Sequence, residues 1–251
     1  IQTNQTLVVL VVSDSIFKGS KNFSQELIKF CPSVKSIVLN INKRQTSIVL
    51  SQQEKVLYGK GFIVDELCGL KFKISPKSFY QINHKQCEIL YSKAIDLLEL
   101  KGNEVVIDAY CGIGTIGMIA SSKVKEVIGV EVNKDAVKDA VNNAKMNKIN
   151  NIRFVNDDAS AFMVKLAKQK MKVDCVIMDP PRSGSTKEFM DAIKILNPGK
   201  VVYISCDPST QVRDIKYLAK LGYRGNIMYP VDMFPQTVHI ETCVLLQRRT
   251  M

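Results

Sequence analysis

No stretch of the 251 residues approaches the ~18 to 20 consecutive apolar residues that a membrane-spanning helix needs. The apolar start L-V-V-L-V-V (Leu7 to Val12) is bounded by Asn, Gln, Ser and Asp, so it reads as a strand and not as a signal. The chain opens at Ile1 without an initiator Met and runs straight into that strand, as expected for a piece of a longer protein. The seven cysteines (Cys31, Cys68, Cys87, Cys111, Cys175, Cys206, Cys243) form no C-x-x-C pair and no Cys/His cluster. That argues against zinc or iron–sulfur ligation within this sequence, and the odd, wide spacing suits reduced thiols in a cytoplasm. Internal repeats and low-complexity tracts are also missing.

What is present is a chain with 46% hydrophobic residues, enough for a substantial core. The formal net charge of +11, mostly lysine spread along the chain, favours an anionic partner such as nucleic acid through counterion release.

Two patterns divide the chain. Between Gln5 and Ser75, short β-branched runs (T-L-V-V-L-V-V, S-I-V-L-N-I, T-S-I-V-L-S, G-F-I-V-D-E-L, L-K-F-K-I) are interrupted by a single helical pattern from Ser24 to about Phe30. This predicts a small, mostly antiparallel β-rich domain over residues 1–75, facing the nucleic acid. A connecting helix is expected over 78–100, opening a second domain at 76–251. Apolar strands then alternate with helical patterns: E-V-V-I-D-A, E-V-I-G-V-E, I-R-F-V, V-D-C-V-I-M-D, K-V-V-Y-I-S, and a final pair near Gly225 to Tyr229 and His239 to Gln247. The expectation is an α/β fold with a doubly wound, Rossmann-like parallel sheet covered on both faces.

The first strand of that sheet leads into D-A-Y-C-G-I-G-T-I-G, where Gly112, Gly114 and Gly117 satisfy G-x-G-x-x-G and would let the backbone approach a ligand. Glu131 ends the second strand, placed to accept the hydroxyls of a ribose, which suits NAD and S-adenosylmethionine alike. Asp108 and the bulky Tyr110 ahead of the glycines, with the acidic turn M-D-P-P-R-S-G around Asp179, favour S-adenosylmethionine. Asp157 or Asp158 would approach the adenine amino group, with Asp158 preferred.

D-P-P-R departs from the N/D-P-P-aromatic signature of amino-methylating enzymes, because Arg182 stands where the aromatic would stack on a base. Methylating C5 of a pyrimidine needs other parts: a thiolate to add at C6 and a base to remove the C5 proton. Cys206 follows a strand, with Asp207 as N-cap and Pro208 as first helical residue, so the helix dipole is expected to favour its thiolate. Glu241 sits on an otherwise apolar last strand, where burial would raise its pKa into the range of a base that recycles its proton.

These motifs, together with S-P-K-S-F-Y-Q-I-N and H-I-E-T-C-V-L, resemble the RNA uracil-5-methyltransferase family over roughly Ser75 to Gln247. The resemblance implies a seven-stranded class I methyltransferase sheet and methylation of uridine C5 in ribosomal or transfer RNA, the former favoured, with S-adenosylmethionine as methyl donor. It further implies Gln81, Tyr110, Glu131 and Asp179 as cofactor residues, Cys206 as nucleophile, Glu241 as proton acceptor, no metal, and a cytoplasmic monomer. Members of the family usually carry an N-terminal OB-like RNA-binding domain, and some an iron–sulfur cluster; neither is expected in this sequence. A cytosine-C5 methyltransferase is a second reading, although its second cysteine after the D-x-P turn is missing here. A catalytically silent RNA-binding module is a third.

Overall fold

The computed structural model describes residues 2–44 and 49–248, in two compact units, residues 1–80 and 81–251. In the first unit, β1 (Thr6–Val12) is joined by α1 (Ser20–Phe30) to β2 (Val34–Ile41), and β3 (Glu54–Gly59) completes a sheet of order β1-β2-β3. The expectation of a mostly antiparallel unit needs correction, because β1 and β2 are parallel. The helix between them is the crossover that parallel neighbours require. It begins at Ser20, four residues before the predicted start. The strand expected over T-S-I-V-L-S falls partly on 46–48, outside the described residues, and Val49 to Ser51 are not in a strand. The strand lies instead at E-K-V-L-Y-G, an edge strand with most of its side chains exposed and hence no apolar signal. A hairpin, β4 (Ile63–Leu67) and β5 (Leu70–Ile74), turns on Cys68 and Gly69 with φ 51° and 75°. Positive φ at both positions matches the right-handed strand twist, as in a type I′ turn.

The second unit opens with α2 (His84–Leu98), capped by Asn83 Oδ1 accepting from Gln86 N at 3.3 Å. Its apolar face, including Cys87, Leu90, Tyr91, Ala94 and Ile95, is buried. There follow β6 (Val105–Ala109), α3 (Thr115–Ser121), β7 (Glu126–Glu131), α4 (Lys134–Met146), β8 (Ile152–Asn156), α5 (Ala159–Lys168) and β9 (Cys175–Met178). The chain ends in α6 (Lys187–Leu196), β10 (Lys200–Ser205), α7 (Pro208–Lys220), β11 (Tyr223–Val231) and β12 (Glu241–Arg248).

The seven strands lie in the order β11-β12-β10-β9-β6-β7-β8. Only β12 runs against the rest, because the helix-free loop 232–240 returns it directly beside β11 without a crossover. Continuous apolar strands such as C-V-I-M and V-V-Y-I are buried on both faces, with α5, α6 and α7 packed over one core built on Ile107, Val130, Phe162, Phe189, Tyr203 and Leu218. From β6 the chain winds outward through β7 and β8, then returns to β9 on the other side. That reversal opens a crevice at the carboxyl ends of β6 and β9, the usual place for a ligand in such sheets. Among the described residues no helix is long and apolar enough to cross a membrane.

Candidate functional site

The carboxyl edge of the sheet collects most of the predicted site residues, and strand register explains how. In the antiparallel pair of β10 and β12, Ser205 faces Thr242. One further step sets Cys206 opposite Glu241. In the parallel pairs, Tyr203 is level with Met178 and Ala109 with Met178, so Asp179 follows at the same height beside both strands.

Glu241 is buried (4% exposed), and burial raises its pKa while the Arg182 guanidinium opposes the rise. Cys206 is half-buried. Asp207 caps α7 as predicted, its Oδ1 accepting from Ser209 N at 2.9 Å and Thr210 N at 3.1 Å, with Pro208 in the first turn. The expected depression of the thiol pKa does not follow, however. Burial and the facing Glu241 carboxylate push the Cys206 thiol up, and the Arg182 guanidinium only partly offsets them. Cys206 precedes the N-cap, so the helix amides serve Asp207 and not the sulfur.

Asp179 and Asp108 form the inner part of the same cluster. Burial pushes Asp179 up to about 8, with Glu241 and Asp108 adding like-charge repulsion. Burial pushes Asp108 up to about 7, against the Gly117 amide, which donates to Oδ2 at 2.8 Å. Asp108 Oδ1 is buried with no hydrogen-bond partner among the described residues. Glu131 stands beside this pair, accepting from Gly112 N at 3.0 Å and Asn133 N at 2.7 Å.

The three glycines serve different ends. A Cβ on Gly114 would strike the Phe154 ring at 2.6 Å, and one on Gly117 would meet Asp108 Oδ2 at 2.7 Å. Gly112, at φ 55°, faces open space and alone leaves room for a ligand against the backbone.

Tyr110 and Asp158 are set apart from the Cys206 cluster. Strand alternation would put Tyr110 on the face of Asp108, but its left-handed φ of 64° turns the ring toward Phe189, 5.6 Å between centroids. Its hydroxyl lies 3.4 Å from Ser185 Oγ. Asp158 is exposed and caps α5, accepting from Ala161 N at 2.9 Å. Gln81, which residue type alone would place on a solvated surface, is buried (7% exposed) just ahead of α2. Among the described residues no His, Cys, Asp or Glu cluster could hold a metal.

A family model described as tRNA (uracil-5-)-methyltransferase matches residues 20–249. The chain belongs to that family. An uncharacterized RNA methyltransferase of Caldanaerobacter subterraneus subsp. tengcongensis is 43% identical over 98% of this chain and 55% of its own length. Another from Lactobacillus johnsonii is 44% identical over 98% of this chain and 54% of its own. The chain thus spans about half the length of the curated relatives it matches. Among solved structures, Pyrococcus abyssi tRNA (uracil-54, C5)-methyltransferase in complex with S-adenosyl-L-homocysteine aligns with a TM-score of 0.79 at 27% identity. That alignment covers 96% of this chain and 56% of that one.

For this member of the family, sequence reasoning missed Arg182 as a neighbour of the Cys206 thiol. Its signal was the basic residue in D-P-P-R, where a base-stacking aromatic was sought. The guanidinium lowers the pKa of both Cys206 and Glu241, and its Nη2 lies 3.4 Å from His239 Nδ1.

Proposed function

We propose that the chain is the catalytic portion of a methyltransferase that modifies C5 of a uridine in ribosomal or transfer RNA, with S-adenosylmethionine as methyl donor. The observation that carries it is the placement of Cys206 and Glu241 one step beyond the Ser205–Thr242 pair at one strand end, with the Arg182 guanidinium near enough to act on the charge of both. The residues fit the cofactor: Gly112 leaves open backbone, Asp108 Oδ1 offers a buried unused acceptor, and Glu131 accepts from the Gly112 amide beside them. Glu131, Asp179, Tyr110 and Gln81 would hold it, with Asp158 toward the adenine end, and it supplies an electrophilic methyl group when bound.

The side chains divide the remaining work. Cys206, as thiolate steadied by Arg182, forms a bond to C6 of the uracil, and the C5–C6 π pair moves toward O4, making C5 nucleophilic. Glu241 as carboxylate later accepts the C5 proton, the C5–C6 double bond re-forms, and the carbon–sulfur bond breaks to return the thiolate. A carboxylate whose pKa is raised by burial suits this task, because it is basic enough to take the proton and can release it afterwards.

RNA carrying 5-fluorouridine tests the assignment, since fluorine at C5 leaves no proton for Glu241 to remove. With S-adenosylmethionine present, a covalent protein–RNA adduct is expected on a denaturing gel, mapped by mass spectrometry to Cys206. An adduct that persists in Cys206→Ala would overturn it. The family match and the thiol–carboxylate pair favour this over a silent RNA-binding module, which would bind the cofactor and methylate no uridine.

A further inference from the structure

The D-P-P-R-S-G loop has two sides. Arg182 faces the reactive thiol, while the residues after it form one wall of a separate groove of about 760 Å³ between α6 and α7. The loop is pinned from the α7 side. Thr210 Oγ1 donates to the Arg182 carbonyl at 3.1 Å, Arg213 Nη2 donates to the Ser183 carbonyl at 2.8 Å, and Asp214 Oδ2 accepts from Ser185 N at 2.7 Å. A Cβ on Gly184 would collide with Arg213 Nη2 and Asp214 Oδ2 at 2.5 Å, so the loop lies flat against α7.

The lining is strongly cationic. Lys187, Arg213, Lys216 and Lys220 face the groove, and its one acid, Asp214, is buried and already bonded to Arg213 at 2.8 Å. Among the described residues Lys187, Lys216 and Lys220 are exposed and belong to no ion pair. Ser185 and Ser209 add hydroxyls beside these charges.

We infer that this groove binds the phosphodiester backbone of the RNA strand next to the target uridine, through Lys187, Lys216 and Lys220. It builds on the functional reading above and gives that site its substrate track. Chain continuity supports it: exposed Ser183, which directly follows Arg182, lines the same groove as the lysines. Three lysines outside any ion pair around a concave floor suit successive phosphates, and backbone contacts of this kind fix position without reading sequence.

The test is the salt dependence of RNA binding, by fluorescence anisotropy with a labelled uridine-containing single strand. The double variant Lys187→Gln/Lys216→Gln is compared with a charge-matched control, Lys165→Gln/Lys168→Gln, exposed at the far end of α5. Circular dichroism and S-adenosylmethionine binding should stay as in the wild type for both variants. With ~0.7 counterions released per phosphate of a single strand, the groove variant should flatten the slope of log K against log salt by about 1.4. The control should leave that slope unchanged. Equal flattening in both variants would reduce the groove to general surface charge and overturn the inference, as would an unchanged groove variant. A wild-type chain with no salt-dependent RNA affinity would instead overturn the functional reading on which the inference stands.

Discussion

Asp108 and Asp214 are each 1% exposed, yet the fold houses them in opposite ways. Asp214, on α7, accepts from Ser185 N at 2.7 Å, Tyr203 OH at 2.8 Å and Arg213 Nε at 2.8 Å. Asp108, at the end of β6, has the Gly117 amide on one oxygen and no partner on the other among the described residues. A saturated buried carboxylate holds structure together. An unsaturated one costs about 1–3 kcal/mol or more and persists where something else repays it, commonly a ligand. Asp179 and Glu241, both raised by burial, cluster with Asp108. The difference separates the part of the unit that the chain completes alone from the part that we assign to cofactor and substrate.

Glu241→Gln should break this contrast most sharply. With Glu241 as the proposed general base, its loss is expected to lower methylation turnover by about 10²–10⁴-fold. The same change removes the negative charge that helps to push the Cys206 thiol up, so alkylation of Cys206 near pH 8, followed by peptide mass spectrometry, should become faster. Slower alkylation, or unchanged turnover, would separate Glu241 from the thiol.

On the saturated side, Asp214→Ala strips two buried donors, Ser185 N and Tyr203 OH, of their acceptor. Denaturant unfolding should show a loss of about 2–4 kcal/mol, without need of cofactor or RNA. A stability change no larger than that of an ordinary surface substitution would mean that this network is not structural.

Asp108→Asn should act the other way. A carboxylate whose folded pKa is raised from 3.8 to about 7 leaves the folded state binding more protons than the unfolded one. Its destabilising contribution therefore grows as pH rises from about 4 through about 7. Removing the charge should make the variant gain on the wild type across that window, by up to ~1.4 kcal/mol per pH unit in thermal or denaturant unfolding. Its affinity for S-adenosylmethionine should fall at the same time. A stability difference that is flat with pH would show that Asp108 is ionised at little cost.

Continuous apolar runs such as E-V-V-I-D-A and K-V-V-Y-I-S made the central sheet legible in the sequence, because strands buried on both faces carry their signal in composition alone. Cys206, Asp207 and Pro208 were legible too, since capping chemistry is local. Partner choice was not. Periodicity does not say which strand β1 lies against, and it missed β3, whose exposed side chains carry no pattern. The coupling of Asp108 with Asp179 was hidden because they come from strands made adjacent only by the reversal of winding. The left-handed turn that takes Tyr110 off the face of Asp108 has no signature in a tyrosine. Arg182 lies far from Cys206 in sequence, and only the loop pinned by Thr210 and Arg213 brings its guanidinium to the thiol.

Asp207→Ala gives the smallest expected effect and the finest test of what governs the thiol. The substitution removes the acceptor for Ser209 N and Thr210 N, worth about 1 kcal/mol of stability in a typical N-cap. If a helix terminus controlled Cys206, fraying that turn would also slow its alkylation markedly. A helix end is worth only about 0.3–1 kcal/mol to a nearby charge, less than one pKa unit. Here burial and Glu241 act on the sulfur directly, with Arg182 opposing them. The expected outcome is a modest drop in unfolding free energy and an alkylation rate that moves less than in Glu241→Gln. The reverse order would put the helix ahead of the facing carboxylate as the control on the Cys206 thiol.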